Sequence, residues 1–166
     1  MLGSRSYDTL SGIGPPPLVP GRMLPVGTPS GSPLVDVAPV RSLPHGIVDL
    51  AMTPGPRPDW LADPASLTDA DWTVGADSDR VGVRLEGGPL RRAPWCEELE
   101  LPSEGVVRGA VQLPADGRPV AFLADHPVTG GYPVVAVLTA AATDRLAQLV
   151  PGQQVRLHLD ASRRGP

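Results

Sequence analysis

The sequence contains no lysine and no asparagine; all 14 basic residues are arginine. Both missing residues use A-rich codons, so a GC-rich coding sequence accounts for the gap. The chemical consequence holds whatever the cause. Such a chain forms no lysine Schiff base, carries no P-loop lysine and accepts no biotin on a lysine. A reaction that uses ATP or biotin would have to draw the essential lysine from another chain. Cysteine is nearly absent as well. Cys96 stands alone, which excludes an internal disulfide and a multi-cysteine zinc site. The three histidines, His45, His126 and His158, lie far apart without ligand spacing, so no metal site is expected. Aromatic residues make only 4% of the chain. Its core must therefore be aliphatic, and Leu and Val supply 39 residues against two Ile and one Phe. No apolar run reaches the roughly 18 residues of a membrane span, and no signal-peptide pattern opens the chain. A soluble, cytoplasmic protein is expected. The net charge of −4 argues against a nucleic-acid partner, which calls for a basic patch.

What the chain has in quantity is proline and glycine, 22 and 19 residues, crowded into the first third. Residues 1–44 read as an extended segment with short β pieces at most, because Pro15, Pro16 and Pro17 lack amide donors. From residue 45 the pattern changes, and 45–160 reads as one β-rich domain before a frayed tail at 161–166. His45–Met52 is a candidate strand, stopped by Pro54-Gly55-Pro56. Asp63–Trp72 has room for a short helix or two turns. In Arg80–Glu86, Val81, Val83 and Leu85 alternate with Gly82, Arg84 and Glu86, the period-2 signature of a half-buried strand. Further strands are expected at Gly105–Leu113, broken by Gly109, and at Pro119–Ala124, Gly131–Leu138 and Gln153–Leu159. One helix stands out. Thr139 is placed to cap it, Ala142, Leu146, Leu149 and Val150 form its stripe, and Pro151-Gly152 ends it. Short strands joined by Gly/Pro turns, with a single helix, predict a mainly β barrel or sandwich.

Two stretches carry candidate chemistry. In Ser103–Pro114, the polar interruptions of an apolar strand are Arg108 and Gln112, with Glu104 just before it. On periodicity alone Glu104 reads as a loop residue and Gln112 as an edge residue facing water. In Ala124–Pro133, adjacent Asp125 and His126 point to opposite sides if extended, which makes a poor acid–base dyad. Thr129-Gly130-Gly131 offers backbone N–H groups to a carbonyl or anionic ligand, and Tyr132 offers a hydroxyl. The competing reading is a hairpin turn or bulge.

Four blocks follow one another in a specific order: "GVRLEGGPL" (82–90), "ELPSEGVVRGAVQLPADGRPVAFLAD" (100–125), "TGGYPVVAVL" (129–138) and "DRLAQLVPGQQVRLH" (144–158). Together with "LGSRSYDTLSGIGPPPLVPGRMLPVG" (2–27), they closely resemble the C-terminal half of the allophanate hydrolase subunit 2 family. That family is also called KipA, the 5-oxoprolinase C-subunit, or the carboxyltransferase domain of urea carboxylase-like enzymes. Its members are about twice as long. The resemblance therefore implies that residues 1–44 are the remainder of an upstream barrel half, and that Met1 is a mis-called start, the edge of a split gene or that of an inactive fragment. A native mass near 17 kDa would exclude the mis-called start. The implied fold is a cyclophilin-like β-barrel, with one C-terminal helix before the last strand and the Pro-rich segment in front.

The implied function is that of the C-subunit in an ATP-dependent 5-oxoprolinase that opens 5-oxoproline to glutamate. The implied partners are a LamB/YcsF-like A-subunit plus a KipI-type B-subunit. Two alternatives accompany it: a biotin-dependent carboxyltransferase for urea or a related amide, and a non-enzymatic KipA-like regulator. ATP or biotin would come through the partners, with no cofactor bound by this chain alone. The candidate catalytic residues are Tyr132, Glu104 and Asp125; Thr129, Gly130, Gly131, Arg84 and Gln112 are the candidates for substrate binding. Many family members read Gln-Thr-Thr-Gly-Gly-Tyr-Pro at the loop, where this chain has Pro127 and Val128 in the first two places. Roles that need a side-chain amide at 127 or a hydroxyl at 128 are therefore lost. Those resting on the Gly130-Gly131 backbone and on Tyr132 remain.

Overall fold

A computed structural model describes Tyr7, residues 11–28, Gly31 and residues 46–161. The chain divides into two compact units, 1–40 and 41–166. The expected boundary after residue 44, the histidine at 45 and the tail beyond Ala161 lie outside the described residues. Within 11–28 no strand or helix forms. Its prolines leave carbonyls without matching N–H groups, and Arg22 gathers two of them, donating to the Pro16 oxygen at 2.8 Å and the Pro17 oxygen at 2.7 Å. The apolar side chains of Ile13, Leu18, Val19, Met23, Leu24 and Val26 are exposed.

The second unit is mainly β. In chain order its strands are β1 (Val48–Pro54), β2 (Asp71–Val74), β3 (Gly82–Glu86), β4 (Glu104–Gly105), β5 (Ala110–Gln112), β6 (Val120–Phe122), β7 (Thr129–Gly130), β8 (Val134–Leu138) and β9 (Gln154–Leu159). Its helices are a single turn, α1 (Ser66–Asp69), and α2 (Ala140–Leu146). Seven strands close a barrel in the order β1-β8-β5-β6-β3-β2-β9, while β4 and β7 make a separate ribbon. Strand β9 returns to β1 in parallel, with Leu50 opposite Leu157. The other barrel pairings are antiparallel.

Alternation along the strands sends every second side chain inward. Leu50, Trp72, Leu85, Val111, Ala121, Val155 and Leu157 thereby fill the interior. Trp72 is the largest of them, and its indole N–H finds the Leu67 carbonyl at 3.0 Å. The opposite face of three of the same strands carries a second cluster, Ala110, Phe122 and Val134, which Val106 covers. The barrel is thus a packed core rather than a channel. Whatever binds here binds outside it.

Several boundaries differ from the expected ones. The stretch Gly105–Leu113 is two strands in two sheets, because Gly109 adopts φ +85°, and a Cβ there would lie 2.8 Å from the Leu138 carbonyl oxygen. The strand expected from Gly131 begins at Val134, just past Pro133, which has no N–H to give a ladder. Strand β2 is not among the expected strands: its alternation, Asp71-Trp72-Thr73-Val74, is only four residues long. Thr139 does cap α2, accepting from the Ala142 N–H at 3.2 Å. The helix ends well before Pro151, however. Gln148 and Leu149 donate to Arg145 and Leu146 at 3.1 Å, bonds that tighten the last turn and swing Val150 out to solvent. Leu159 is likewise exposed rather than inward. No helix among the described residues is long and apolar enough to cross a membrane.

Candidate functional site

The loop at 129–133 lies against the outer face of the barrel, beside the start of β8. Thr129 and Gly130 pair antiparallel with Gly105 and Glu104, and the Val106 N–H extends that ladder to the Val128 carbonyl at 3.0 Å. On the other side Leu113 donates to the Pro133 carbonyl at 2.9 Å. Between these anchors Gln112 does a job its sequence pattern does not reveal. A register shift between Val111 and Gln112 turns the side chain under the loop. Only 4% of the residue remains exposed, and its Nε2 donates to the Tyr132 carbonyl at 3.1 Å. Gly130 makes that approach possible, since a Cβ there would sit 2.5 Å from the Gln112 Nε2. The expectation of a water-facing edge glutamine is thereby corrected. The loop itself stays accessible: Thr129 and Gly131 are exposed, and Tyr132 is 48% exposed.

A second feature adjoins the loop. Glu104 is held by Arg57, which reaches it through both Nε and Nη2, one donor to each carboxylate oxygen. Hydrogen bonding from Arg57 and the guanidinium charge hold the Glu104 carboxyl below its usual range, against an upward pull from burial. The same pairing raises the Arg57 guanidinium above its usual value. Both residues stand on fixed backbone. Arg57 is bracketed by Pro56 and Pro58, and its N–H donates to the Val134 carbonyl at 3.0 Å. The Glu104 backbone is paired with Gly130. Sequence pattern does not single out Arg57.

Glu104, Gln112, Thr129, Gly130, Gly131 and Tyr132 therefore come together, and Arg57 joins them. Arg84 and Asp125 are engaged in other pairs. Arg84 points outward from β3 to Asp116 at 3.3 Å, and Asp125 meets Arg80 at 2.7 Å. His126 turns away from Asp125, with its ring stacked on Phe122 at 6.0 Å and Nδ1 2.7 Å from the Pro127 carbonyl oxygen. Among the described residues no group of three or more His, Cys, Asp or Glu could hold a metal ion. A shallow cavity of 170 Å³ lies elsewhere, lined by Asp49, Thr139, Arg145 and His158 among others. It includes none of the loop residues, and Arg145 is already turned to the Asp49 carbonyl at 3.0 Å. The arrangement with chemical capacity is the loop, with its exposed Tyr132 and, joined to it through Glu104, the Arg57–Glu104 pair.

Comparison with known proteins gives the family and the fold. Residues 1–159 match the family described as "Carboxyltransferase domain, subdomain A and B". The chain is 31% identical over 161 residues to the 5-oxoprolinase C-subunit of Escherichia coli strain K12, a match covering 93% of this chain and 50% of that protein. It thus spans about half the length of this curated relative. Among solved structures, TTHA0988 superposes with a TM-score of 0.63 at 30% identity, covering 78% of this chain and 25% of its own. The Kluyveromyces lactis urea carboxylase shares the fold at a TM-score of 0.64 and 24% identity, covering 71% of this chain and 11% of that enzyme.

Proposed function

The chain belongs to the carboxyltransferase domain family, subdomains A and B, and from that premise we propose that it is a working part of a 5-oxoprolinase C-subunit. In this reading it acts with a LamB/YcsF-like A-subunit plus a KipI-type B-subunit to open 5-oxoproline to glutamate at the expense of ATP, in the cytoplasm. The observation that carries the reading is the loop 129–132. It is pinned from beneath by the Gln112 amide yet open at its surface, beside a fixed Arg57–Glu104 pair.

Hydrolysis of a lactam adds water to the carbonyl carbon and then breaks the ring C–N bond, the nitrogen leaving as a protonated amine; the addition places negative charge on the carbonyl oxygen. Donors already fixed where that charge develops lower the barrier, because they need not reorganise. The N–H groups of Gly131 and Tyr132 and the Tyr132 hydroxyl are the donors proposed for that oxygen; the Gly130 N–H is already taken up by the ladder to Glu104. Holding the Tyr132 carbonyl keeps the bend in one shape, so Gln112 acts through the loop rather than on the substrate. Glu104, kept ionised by Arg57, is a weak proton acceptor, and its service is to the arginine. In this reading a partner subunit handles ATP: this chain has no lysine to meet its phosphates, and no step on this chain runs through it.

The family's own description supports a second reading, carboxyl transfer from a partner's biotin to urea or a similar amide. The same loop would polarise that carbonyl, so the substrate distinguishes the two. The test is ATP-dependent release of glutamate from 5-oxoproline by the complex reconstituted with both partners. Tyr132→Phe is expected to lower kcat/KM by about two- to tenfold, the worth of one hydrogen bond. A fully active Tyr132→Phe complex would remove the hydroxyl from the site. A wild-type complex that turns over urea with biotin, and not 5-oxoproline with ATP, would replace the first reading by the second.

A further inference from the structure

We propose that Arg57 is the anchor for a carboxylate on the substrate, and that Glu104 is its positioning residue. The inference rests on the loop being the amide-binding site and names the substrate class that this site prefers: an amide that also bears a carboxylate.

The argument begins with what the ion pair does not do. A solvent-exposed pair adds little to stability, because water screens it and two long side chains must be ordered to form it. The Arg57 and Glu104 side chains are 40% and 34% exposed, so folding has little need of them. Their placement is nonetheless tightly specified. Pro56 and Pro58 fix the backbone on both sides of Arg57, and the Arg57 N–H is tied to Val134, two residues beyond Tyr132. Glu104 is locked to Gly130 by the β4–β7 ribbon. Side chain and loop are thus registered to each other through the backbone at both ends.

The contact pattern leaves the arginine only part used. Guanidinium presents five N–H donors in a planar fork. Glu104 accepts from Nε and Nη2. The Nη1 group and the second proton of Nη2 remain to present toward solvent. A second carboxylate fits that remaining edge in the same planar geometry. Glu104 meanwhile holds the fork in one orientation and lowers the entropy lost when a ligand is bound. The downward shift of its carboxyl agrees with a group that stays charged in that role.

On this proposal one substrate has two points of attachment, linked through Glu104 and its backbone pairing with Gly130. The loop takes the amide carbonyl, and Arg57 takes the acid. 5-Oxoproline carries both groups. Urea carries only the first, so the anchor separates the two readings of the site.

The test measures binding of 5-oxoproline and of 2-pyrrolidone, the same ring without the carboxylate, by titration calorimetry of the full chain, alone and in the reconstituted complex. Wild type is expected to prefer 5-oxoproline by roughly ten- to a hundredfold, the range for hydrogen bonds to a charged group. Arg57→Gln should abolish that preference, weakening 5-oxoproline binding far more than 2-pyrrolidone binding. Glu104→Gln should reduce it partially, raising KM with little change in kcat. Equal binding of the two rings by wild type, binding of neither, or a preference retained in Arg57→Gln would overturn the proposal. The wild-type comparison needs no variant, so a misfolded Arg57→Gln leaves the question decidable. Turnover is scored separately. An active complex without the preference sinks the anchor and spares the 5-oxoprolinase reading; a preference without ATP-dependent turnover does the reverse.

Discussion

The two faces of strands β5, β6 and β8 are built on different principles. Their inner face contributes Val111, Ala121 and Val135 to a continuous aliphatic core closed around the barrel. Their outer face carries the small cluster of Ala110, Phe122 and Val134, and next to it a ribbon of two residues per strand, one buried amide and one ion pair. Apolar burial is non-directional and accumulates with area. The polar contacts of the outer face are few and directional, and each specifies one position. The inner face therefore sets whether the chain folds, and the outer face sets the shape of a loop. Regions of low local stability are also those most able to adjust to a ligand.

The largest effect is expected where the inner face is emptied. Trp72→Ala removes the bulkiest interior side chain together with its bond to the Leu67 carbonyl. A loss of about 3–5 kcal/mol is expected, a large share of the roughly 5–15 kcal/mol available to a small domain. Urea unfolding of the full chain measures it, and all strands should lose protection together. A smaller and local effect is expected on the outer face. Gln112→Ala strips the Tyr132 carbonyl of its donor, at a cost of about 1–3 kcal/mol. Amide exchange should quicken at Thr129–Tyr132 and stay slow at Leu50 and Leu85. Faster exchange throughout the barrel would break the comparison, because the loop would then belong to the core's cooperative unit.

The same division decides what is legible in the sequence. Inner-face positions are periodic, and alternation locates β3 from Val83 and Leu85 and β9 from Val155 and Leu157. Thr139 announces α2 by its capping chemistry. Strand β2 escapes because its apolar residues, Trp72 and Val74, sit among aspartates that mask a four-residue pattern. The ribbon of β4 and β7 is too short to have a period. Gln112 resembles a surface residue because only the shifted register turns it under the loop. Arg57 lies 47 residues from Glu104, and no local rule joins them. The one available signal is a charged side chain bracketed by prolines, Pro56-Arg57-Pro58, a backbone suited to fixed presentation. The loop stands out because several long blocks occur in family order, not because two glycines and a tyrosine are informative by themselves.

Acid offers the gentlest way to separate the two faces. Apolar burial carries no proton, so the Trp72→Ala deficit should be the same at neutral and mildly acidic pH. The Arg57–Glu104 pair should not behave so. The Glu104 carboxyl titrates lower in the folded chain than its ordinary value of 4.5. Folding is therefore favoured by this group above that value, and the benefit is lost as the pH falls through the folded pKa. Glu104→Gln mimics the protonated state and should start slightly less stable than wild type at pH 7. The two proteins should begin to converge as the pH drops below about 4.5 and should meet once it has passed the lower folded-state pKa, where wild type has also lost the charge. Thermal unfolding midpoints across that window measure the difference. A gap that persists in acid would mean that the carboxylate is not what holds Arg57. The fork would then owe its orientation to the prolines alone, and Glu104 would lose its positioning role while the anchor kept its own.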